Sequence, residues 1–385
     1  ELLLADRYSQ AEELAQQLNE LNEQRKELVD KIYDEIDAKI TRHPEILHDR
    51  VIILYGEGWH HGVIGIAAAR LVEEYSKPCI LFSVEGEEAR GSARSVEGYS
   101  MIEAISRCSS LLTRYGGHHQ AAGMAVPTCH LREFIEQILE DAAEHFDLMP
   151  VDQLRVDAVL TAQQLTLDTV YGMRLLEPFG CGNELPVVAM MGCCIESIIP
   201  LSENRHIRLK LSYQGRTIQA VYFRMSTYQF PFGRGDLVDV AANLDVNEYN
   251  HEKSVSIKIK DIRLHGVNQE KLIVGRQYYE KYCRKEELEE KIKHYICPKR
   301  EDVALLYRFL RHYGSFPFGY DMLWCRLNGM NYCRMMICLD VMQELGLVTV
   351  TAGTSADKPI LSFPEQVVKT RLEESTILQQ LKVGE

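Results

Sequence analysis

The stretch that most constrains the fold of this chain runs from Tyr115 to Met124 and reads YGGHHQAAGM. Its two adjacent glycines allow positive φ angles, and their backbone can come close to a bound group because neither has a Cβ. A histidine pair follows, and the small residues after it lead into an apolar strand. A tight turn that sets imidazoles beside bare backbone N–H groups suits an anion, most often phosphate. The alternative is a glycine turn with an incidental histidine.

Length and composition indicate a multidomain protein with free thiols. A chain of 385 residues predicts two to four domains. No apolar run reaches about 18 residues, so we expect no membrane span. The 11 cysteines form no CxxC pair, which favours reduced thiols in the cytoplasm over disulfides or a structural zinc site. The chain starts at Glu1 rather than at a methionine, from which we expect part of the natural protein to be missing.

A strand, a glycine-rich turn and a helix follow one another over residues 51–75. The apolar run 51–55 predicts a buried strand, and a helix is predicted from Val63 to about Tyr75. The first N–H groups of a helix are unpaired, so the turn that carries His60 and His61 is a ready anion site. With the elements that follow, the order β-α-β-β-α-β-α predicts one α/β domain over residues 45–148.

Ser92 and Arg94 lie in a predicted strand of this domain and share one face, because side chains alternate along a strand. A hydroxyl beside a guanidinium makes a good phosphate clamp. Taken alone, a Ser-x-Arg pair more often marks a solvated strand face.

A long amphipathic helix precedes this domain, within residues 1–44. Apolar residues recur at a helical period from about Gln10 to Ile40, and Arg25 occupies one of the positions on that stripe, beside Asn22. The functional interpretation is a cation that points at a phosphate across a cleft. The alternative is an arginine that snorkels or pairs with a carboxylate of a neighbouring domain.

Short alternating segments dominate residues 149–267 and predict a small β-barrel of the OB type. Basic strand faces with stacking rings are what a single-stranded nucleic acid needs. The net charge of −13 argues against polyanion binding by the whole surface, but it leaves room for a local basic groove. Most rings are expected in the barrel core; the candidate contacts are Arg208, Lys210, Tyr222, Arg224 and Tyr249.

Residues 268–385 are predicted to form a helical domain, entered through a linker from Val267 to Arg276. Three helices at 300–313, 321–329 and 332–344 and a hairpin predict a winged-helix-like domain. Its last helix carries one base, Arg334, beside two carboxylates. That is poor for DNA binding, so we expect a structural or protein-docking role.

Together these motifs resemble the RecJ family of single-stranded-DNA-specific exonucleases. Residues 58–66 read GWHHGVIGI and are similar to that family's GWHxGVIGI, and residues 91–95 are similar to its GSxRS strand. Residues 116–123 resemble the GGHxxAAG signature of the DHHA1 domain. Asn22 and Arg25 match an N-x-x-R of the connector helix, and residues 178–183 match the turn that enters the OB domain. The C-terminal part is similar to an extra domain of Firmicute-type members.

The resemblance implies a fold, a reaction and a set of roles. The fold would comprise a connector helix, a DHHA1 domain, an OB barrel and a winged-helix-like domain. Ser92 and Arg94 would clamp a 5′ phosphate, and His118 with Gly116 and Gly117 would act at the scissile phosphate. Arg25 and His60 would assist.

In that family two metal ions, manganese or magnesium, are held by an N-terminal DHH domain whose motifs this chain lacks. We therefore carry over no metal ligand. Single-stranded DNA is the implied partner, with a single-strand-binding protein or a helicase as candidate protein partners in DNA repair and recombination.

Two other functions stay open. The DHHA1 signature also occurs in phosphodiesterases of short oligonucleotides or cyclic dinucleotides, so the natural protein could prefer dinucleotides to long strands. Alternatively, the chain is a single-strand-binding module without a part in the chemistry. A zinc site made by His60, His61, His118 and His119 is a further alternative, but it lacks cysteine or aspartate partners.

Overall fold

The computed structural model describes residues 1–180, 182–327, 329–351, 353, 358–364 and 370–382, without the side chains of residues 249 and 382. Its buried apolar residues form three clusters. They lie within residues 29–142, 160–259 and 279–378. The three clusters match the α/β, barrel and helical regions expected from the sequence. The boundaries between domains, placed after residues 44, 148 and 267, stay a prediction.

The first region joins one long helix to a sheet covered by helices on both faces. Only the second half of the long helix is buried, at Val29, Ile32, Ile36 and Ile40, while Leu18 and Leu21 are exposed. The elements are α1 (Tyr8–Arg42), β1 (Ile52–Glu57), α2 (Ile64–Tyr75), β2 (Cys79–Glu85), β3 (Glu88–Arg94), α3 (Met101–Arg107), β4 (Arg114–Gly117), β5 (Ala121–Pro127) and α4 (Leu131–His145).

The sheet of this region has the strand order β1-β2-β3-β5-β4. Only β1 and β2 are parallel, and β4 forms the edge. Helix α2 packs against β2 and β3. On the other face Phe134 of α4 meets Phe82 of β2 edge to face. The predicted α/β order is therefore confirmed, with β4 as an additional strand.

The middle region is a closed barrel with OB topology. Strands β7 to β9 form an antiparallel meander, β11 pairs in parallel with β9, and β10 pairs with both β11 and β7 to close the barrel. The elements are β6 (Ala158–Val159), α5 (Leu167–Arg174), β7 (Val188–Leu201), β8 (His206–Tyr213), β9 (Arg216–Tyr222), β10 (Leu237–Tyr249) and β11 (Glu252–Leu264). The OB-type barrel predicted from the alternating segments is therefore confirmed.

The last region has the arrangement of a winged helix, as predicted, with a three-stranded sheet in the order β12-β14-β13. The last of its three helices, Tyr332–Glu344, is largely buried, so the helix that would read a DNA groove is covered. The elements are α6 (Gln269–Cys283), α7 (Glu290–Ile296), α8 (Arg300–Tyr313), β12 (Ser315–Phe316), α9 (Gly319–Arg326), α10 (Tyr332–Glu344), β13 (Thr349–Thr351), β14 (Ile360–Ser362) and α11 (Thr376–Lys382).

One local prediction was wrong. Residues 267–276, predicted as a linker, form most of α6, because the side chain of Asn268 caps the helix by accepting from the N–H of Lys271. Of the two adjacent glycines Gly116 and Gly117, only Gly117 has a positive φ, of 152°. A Cβ on Gly117 would lie 2.3 Å from the Ala121 carbonyl oxygen, so this glycine is required by close approach of the hairpin strands.

Candidate phosphate and single-strand site

The centre of the candidate site is the pair Ser92 and Arg94 on β3. Ala89 and Ala93 of this strand are buried, so alternation puts Ser92 and Arg94 on the opposite face, under α2. Arg94 Nη1 lies 3.4 Å from Ser92 Oγ and 2.8 Å from the carbonyl oxygen of Ala93. The hydroxyl and the guanidinium thus act as neighbours, as the sequence predicted.

The first turn of α2 touches this pair at Gly65. A Cβ on Gly65 would lie 2.7 Å from Ser92 Oγ and 3.1 Å from Arg94 Nη2. Because residue 65 is a glycine, the side chains of Ser92 and Arg94 have room beside the N-terminus of α2. The unpaired N–H groups of a helix N-terminus favour an anion. A hydroxyl, a guanidinium and a helix start converge on one spot.

Arg94 keeps its charge available to a ligand. Within the described part of the chain it forms no ion pair, and its side chain donates to Ser92 Oγ and to the carbonyl oxygen of Ala93. By contrast, Arg90 and Arg114 both contact one carboxylate, Glu88, at 2.9 and 3.5 Å. The guanidinium of Arg94 is thus the one of these three that is not already neutralised.

A cleft of about 420 Å³ opens beside Ser92 over strands β3, β5 and β4. The register places Ser92 opposite Gly123, and Gly123 opposite Gly116, so the floor of the cleft is bare backbone. Two residues farther along the strands, Ala125 of β5 pairs with Arg90 of β3 on one side and with Arg114 of β4 on the other. Because β4 is an edge strand, half of its backbone N–H groups face away from β5. The predicted residues Ser92 and Gly116 therefore share one cleft.

The wall of the cleft also contains Arg90, Arg114 and Tyr115, which were not among the predicted site residues, and the ring of Tyr115 is 45% exposed. His61, from the turn predicted as an anion site, belongs to the same wall. The alternation of β3 could have indicated Arg90, which is two residues from Ser92. Arg114 and Tyr115 could not be found, because the hairpin of β4 and β5 was not predicted.

The four histidines occupy different places. His60 stacks on His61 at 5.2 Å between ring centroids, and its Nδ1 accepts a hydrogen bond from the Gly62 N–H at 3.1 Å. His118 is exposed at the end of β4, where its N–H donates to Ala121. His119 instead contacts Ser100 Oγ at 2.8 Å and tethers the turn to α3. His61, and neither His60 nor His118, belongs to the described wall of the cleft.

Arg25 lies on the exposed half of α1. Its Nη2 donates to Asn22 Oδ1 at 3.0 Å, so the two motif residues contact each other. Arg25 does not belong to the described wall of the cleft, and its predicted phosphate contact stays a prediction.

On the barrel, the outer face of β8 carries Arg208 and Lys210, whereas Ile207, Leu209 and Leu211 point into the core. Lys210 Nζ lies 2.9 Å from Glu196. For Arg208, the described residues supply no ion-pair partner. Arg208 is therefore the freer cation on this face. In OB folds the face of the second and third barrel strands, which are β8 and β9 here, binds oligonucleotides.

The aromatic candidates on the barrel are arranged differently from the prediction. Tyr222 packs against the barrel core, and burial raises its pKa to about 12. The exposed ring at the end of this strand belongs to Phe223, which is 49% exposed and contacts His206 edge to face. Arg224 is exposed with a positive φ, and its N–H donates to His206 Nδ1. The side chain of Tyr249 lies outside the described residues, so its stacking role stays a prediction.

The side chains of the described residues do not fit a catalytic metal site. The described side chains include no group of three His, Cys, Asp or Glu that could hold a metal ion. The four histidines therefore do not make the zinc site considered above. In the described residues, no helix is both long and apolar enough to cross a membrane.

Comparison with known proteins places two domains in this chain. A family model described as DHHA1 domain matches residues 48–145, and one described as RecJ OB domain matches residues 156–261. The single-stranded-DNA-specific exonuclease RecJ of Bacillus subtilis (strain 168) is 30% identical over 266 residues, covering 68% of this chain and 33% of that protein. RecJ of Escherichia coli (strain K12) is 27% identical, with 68% of this chain and 47% of that protein covered.

A solved structure shares the fold of this region. The crystal structure of RecJ from Thermus thermophilus in complex with Mn²⁺ is 28% identical with a TM-score of 0.56, and the match covers 69% of this chain and 38% of that one. The chain thus spans between a third and a half of the length of the curated relatives named here.

Proposed function

This chain belongs to the RecJ family through its DHHA1 and OB domains, and we propose that it forms the strand-holding part of a single-stranded-DNA-specific exonuclease. The nuclease would degrade from the 5′ end and act in DNA repair and recombination. The observation that carries the proposal is the convergence of Ser92, Arg94 and the first turn of α2, beside a cleft with a bare backbone floor.

The terminal phosphate is assigned to the clamp. Arg94 supplies an unneutralised guanidinium, Ser92 a hydroxyl, and the helix start backbone N–H groups. His118 and the outward N–H groups of β4, around Gly116 and Gly117, would bind a phosphate near the scissile bond and stabilise the charge that grows there. Arg25 and His60 keep assisting roles in this proposal.

We assign to the barrel the part of the DNA strand that lies farther from its 5′ end. Arg208 offers a phosphate contact and Phe223 an exposed ring for base stacking, and Lys210 and Arg224 extend the basic surface. These contacts are independent of sequence, so they suit an enzyme that must accept any strand. A single-strand-binding protein or a helicase remains a predicted partner.

The divalent metals, manganese or magnesium, are assigned to a segment outside this chain. The basis is the ligand set: the described residues do not provide the converging carboxylates and imidazoles that such ions need. A dinucleotide phosphodiesterase would share the phosphate clamp but would not need a second, extended surface on the barrel. Preference for long strands over dinucleotides therefore separates the two functions.

The test compares oligonucleotides with a 5′ phosphate and with a 5′ hydroxyl. Wild-type chain should prefer the phosphorylated strand, and Arg94→Ala should reduce that preference about tenfold or more, since a charged hydrogen bond contributes about 1.5–3 kcal/mol. Arg132→Ala is the matched control, because Arg132 is an exposed arginine that pairs with Glu136 on α4. An unchanged preference in Arg94→Ala would remove the clamp assignment. In the complete nuclease the same variant should lose far more activity than stability.

A further inference from the structure

Helix α6 connects the barrel to the DHHA1 domain. It begins five residues after β11 ends at Leu264, and Arg263 Nη1 donates to Gln269 Oε1 at 2.6 Å across that junction. Its 15 residues span about 22 Å at the usual rise of an α-helix. Its far end contacts the 3₁₀ turn Pro44–His48 of the DHHA1 domain. One rigid element thus reaches from one binding domain to the other.

The far end of α6 is docked by buried charges. Glu280 and Lys281 are both buried; Glu280 pairs with Lys77 at 2.9 Å and Lys281 pairs with Asp147. Lys77 also donates to the carbonyl oxygens of Leu47 and Asp49, so its ammonium group has three acceptors. Buried charges with a full set of partners fix one geometry, because any other arrangement would leave them unpaired.

A second contact follows α6 directly. Glu286 accepts from Arg50 at 2.9 Å and from Arg284 at 2.6 Å. Burial alone would raise the pKa of Glu286, but the hydrogen bonds from Arg50 and Arg284 outweigh it and hold the pKa at about 2. The carboxylate is thus tied into the interface as an anion.

The same C-terminal domain holds the barrel through α9. Arg326 donates to both carboxylate oxygens of Asp236, at 2.8 and 2.5 Å, in the loop before β10. Met322, one turn earlier, packs against the apolar clusters of both the barrel and the C-terminal domain. A two-pronged arginine contact is specific in direction as well as distance.

We propose that the C-terminal domain is a brace that fixes the distance between the phosphate cleft and the barrel, and that Arg326 and Asp236 are positioning residues for the strand. The inference rests on the proposed function. Between the two binding domains, the described segment from Phe146 to Asp157 contains neither helix nor strand. The docked C-terminal domain therefore supplies the rigid connection.

A fixed distance has a measurable consequence for binding. When one strand reaches both sites, the second contact forms at the high effective concentration that a rigid connection provides. A movable barrel would lower that effective concentration but would leave each separate site intact. Loss of the brace should therefore lower the affinity for long DNA strands and leave the affinity for short ones unchanged.

The experiment measures the affinity of the complete chain for 5′-phosphorylated oligothymidylates of increasing length by fluorescence anisotropy. Wild-type affinity should rise at the length that spans cleft and barrel. Arg326→Ala should weaken binding of longer strands roughly tenfold and leave shorter strands unchanged. The control is Arg308→Ala, since among the described residues the Arg308 side chain has one hydrogen bond, from its Nε to the carbonyl oxygen of Ala304 in its own helix.

Two further variants test whether the effect comes from the contact between Arg326 and Asp236. Asp236→Asn retains the shape of the side chain and removes its charge, so it should show the same loss of affinity for long strands and an unchanged affinity for short ones. The double variant Arg326→Ala with Asp236→Asn should be no worse than either single one, because all remove one contact. Length dependence identical to wild type, or an equal loss on short and long strands, would overturn the brace. Failure of the wild-type chain to bind strands of any length would instead overturn the proposed function.

Discussion

The phosphate cleft and the α6 interface use the same residue types in opposite ways. Beside the cleft Arg94 is half-buried and has no carboxylate among the described residues, and the floor of the cleft next to Ser92 is glycine backbone. At the interface Lys77, Glu280, Arg50 and Glu286 are largely buried, and each is paired. The difference separates charges that are free to meet a ligand, as we propose for Arg94, from charges whose partners lie within the protein.

This difference has a simple physical basis. A charge that is removed from water must find a partner within the protein, and once paired it has little to offer a ligand. A charge at the edge of an open cleft stays hydrated until a ligand replaces the water. Removing a charge should therefore cost stability at the interface and binding in the cleft.

The largest effect is expected from Glu280→Ala. This change would leave the Lys77 ammonium buried without its carboxylate, and the free energy of unfolding should fall by about 3–5 kcal/mol. Denaturant unfolding measures this value. Glu23→Ala removes the partner of Lys26 from an exposed pair on α1 and should cost no more than about 0.5 kcal/mol. Equal effects of the two changes would erase the contrast between buried and exposed pairs.

Gly65→Ala should affect binding rather than stability. The new Cβ would come within 2.7 Å of Ser92 Oγ and displace the clamp, while alanine is itself a better helix former than glycine. Affinity for a 5′-phosphorylated strand should fall about tenfold, equivalent to the loss of one charged hydrogen bond. Titration with labelled oligonucleotide checks this. Gly172→Ala in α5, where a Cβ meets nothing within 4 Å in the described structure, should leave the affinity unchanged.

A further effect is expected from pH at the interface. Burial lowers the pKa of His48 to about 4, and the positive charges of Lys77 and Arg284 act in the same direction, against a smaller influence of Glu45. The unfolded chain, with the usual value of 6.5, then binds the proton more readily. Stability should therefore fall progressively as the pH drops from 6.5 towards 4.

The control for this prediction is His48→Phe, which retains a ring against Tyr279 and cannot titrate. Unfolding midpoints measured across the pH range should fall less steeply in this variant than in the wild type. Equal slopes would mean that carboxylates whose pKa is lowered in the folded protein, such as Glu286, dominate the loss of stability in acid.

Much of the fold could be predicted because local patterns agree with the tertiary structure. Alternation gave the barrel strands, and the position of Ser92 and Arg94 on one face of β3 followed from the same rule. Helix α10 was predicted with its correct ends, and Asn331 caps it by accepting from Arg334. In these segments the local sequence preference and the packing point to the same element.

The remaining errors concern contacts between segments that are distant in sequence. Tyr222 and Phe223 are neighbours, and only the closure of the barrel decides that Tyr222 packs inside while Phe223 is exposed. Helix α6 has few buried apolar residues, because its far end is held by ion pairs with residues about 200 positions away, as at Lys77 and Glu280. Apolar periodicity cannot reveal such an element.

The most direct measurement is a crystal structure of this chain with a 5′-phosphorylated single strand. The account predicts that the terminal phosphate lies within hydrogen-bond distance of Ser92 Oγ, the Arg94 guanidinium and the first N–H groups of α2. A phosphate bound at Arg90 and Arg114 instead, with Arg94 left in contact only with its own strand, would contradict it.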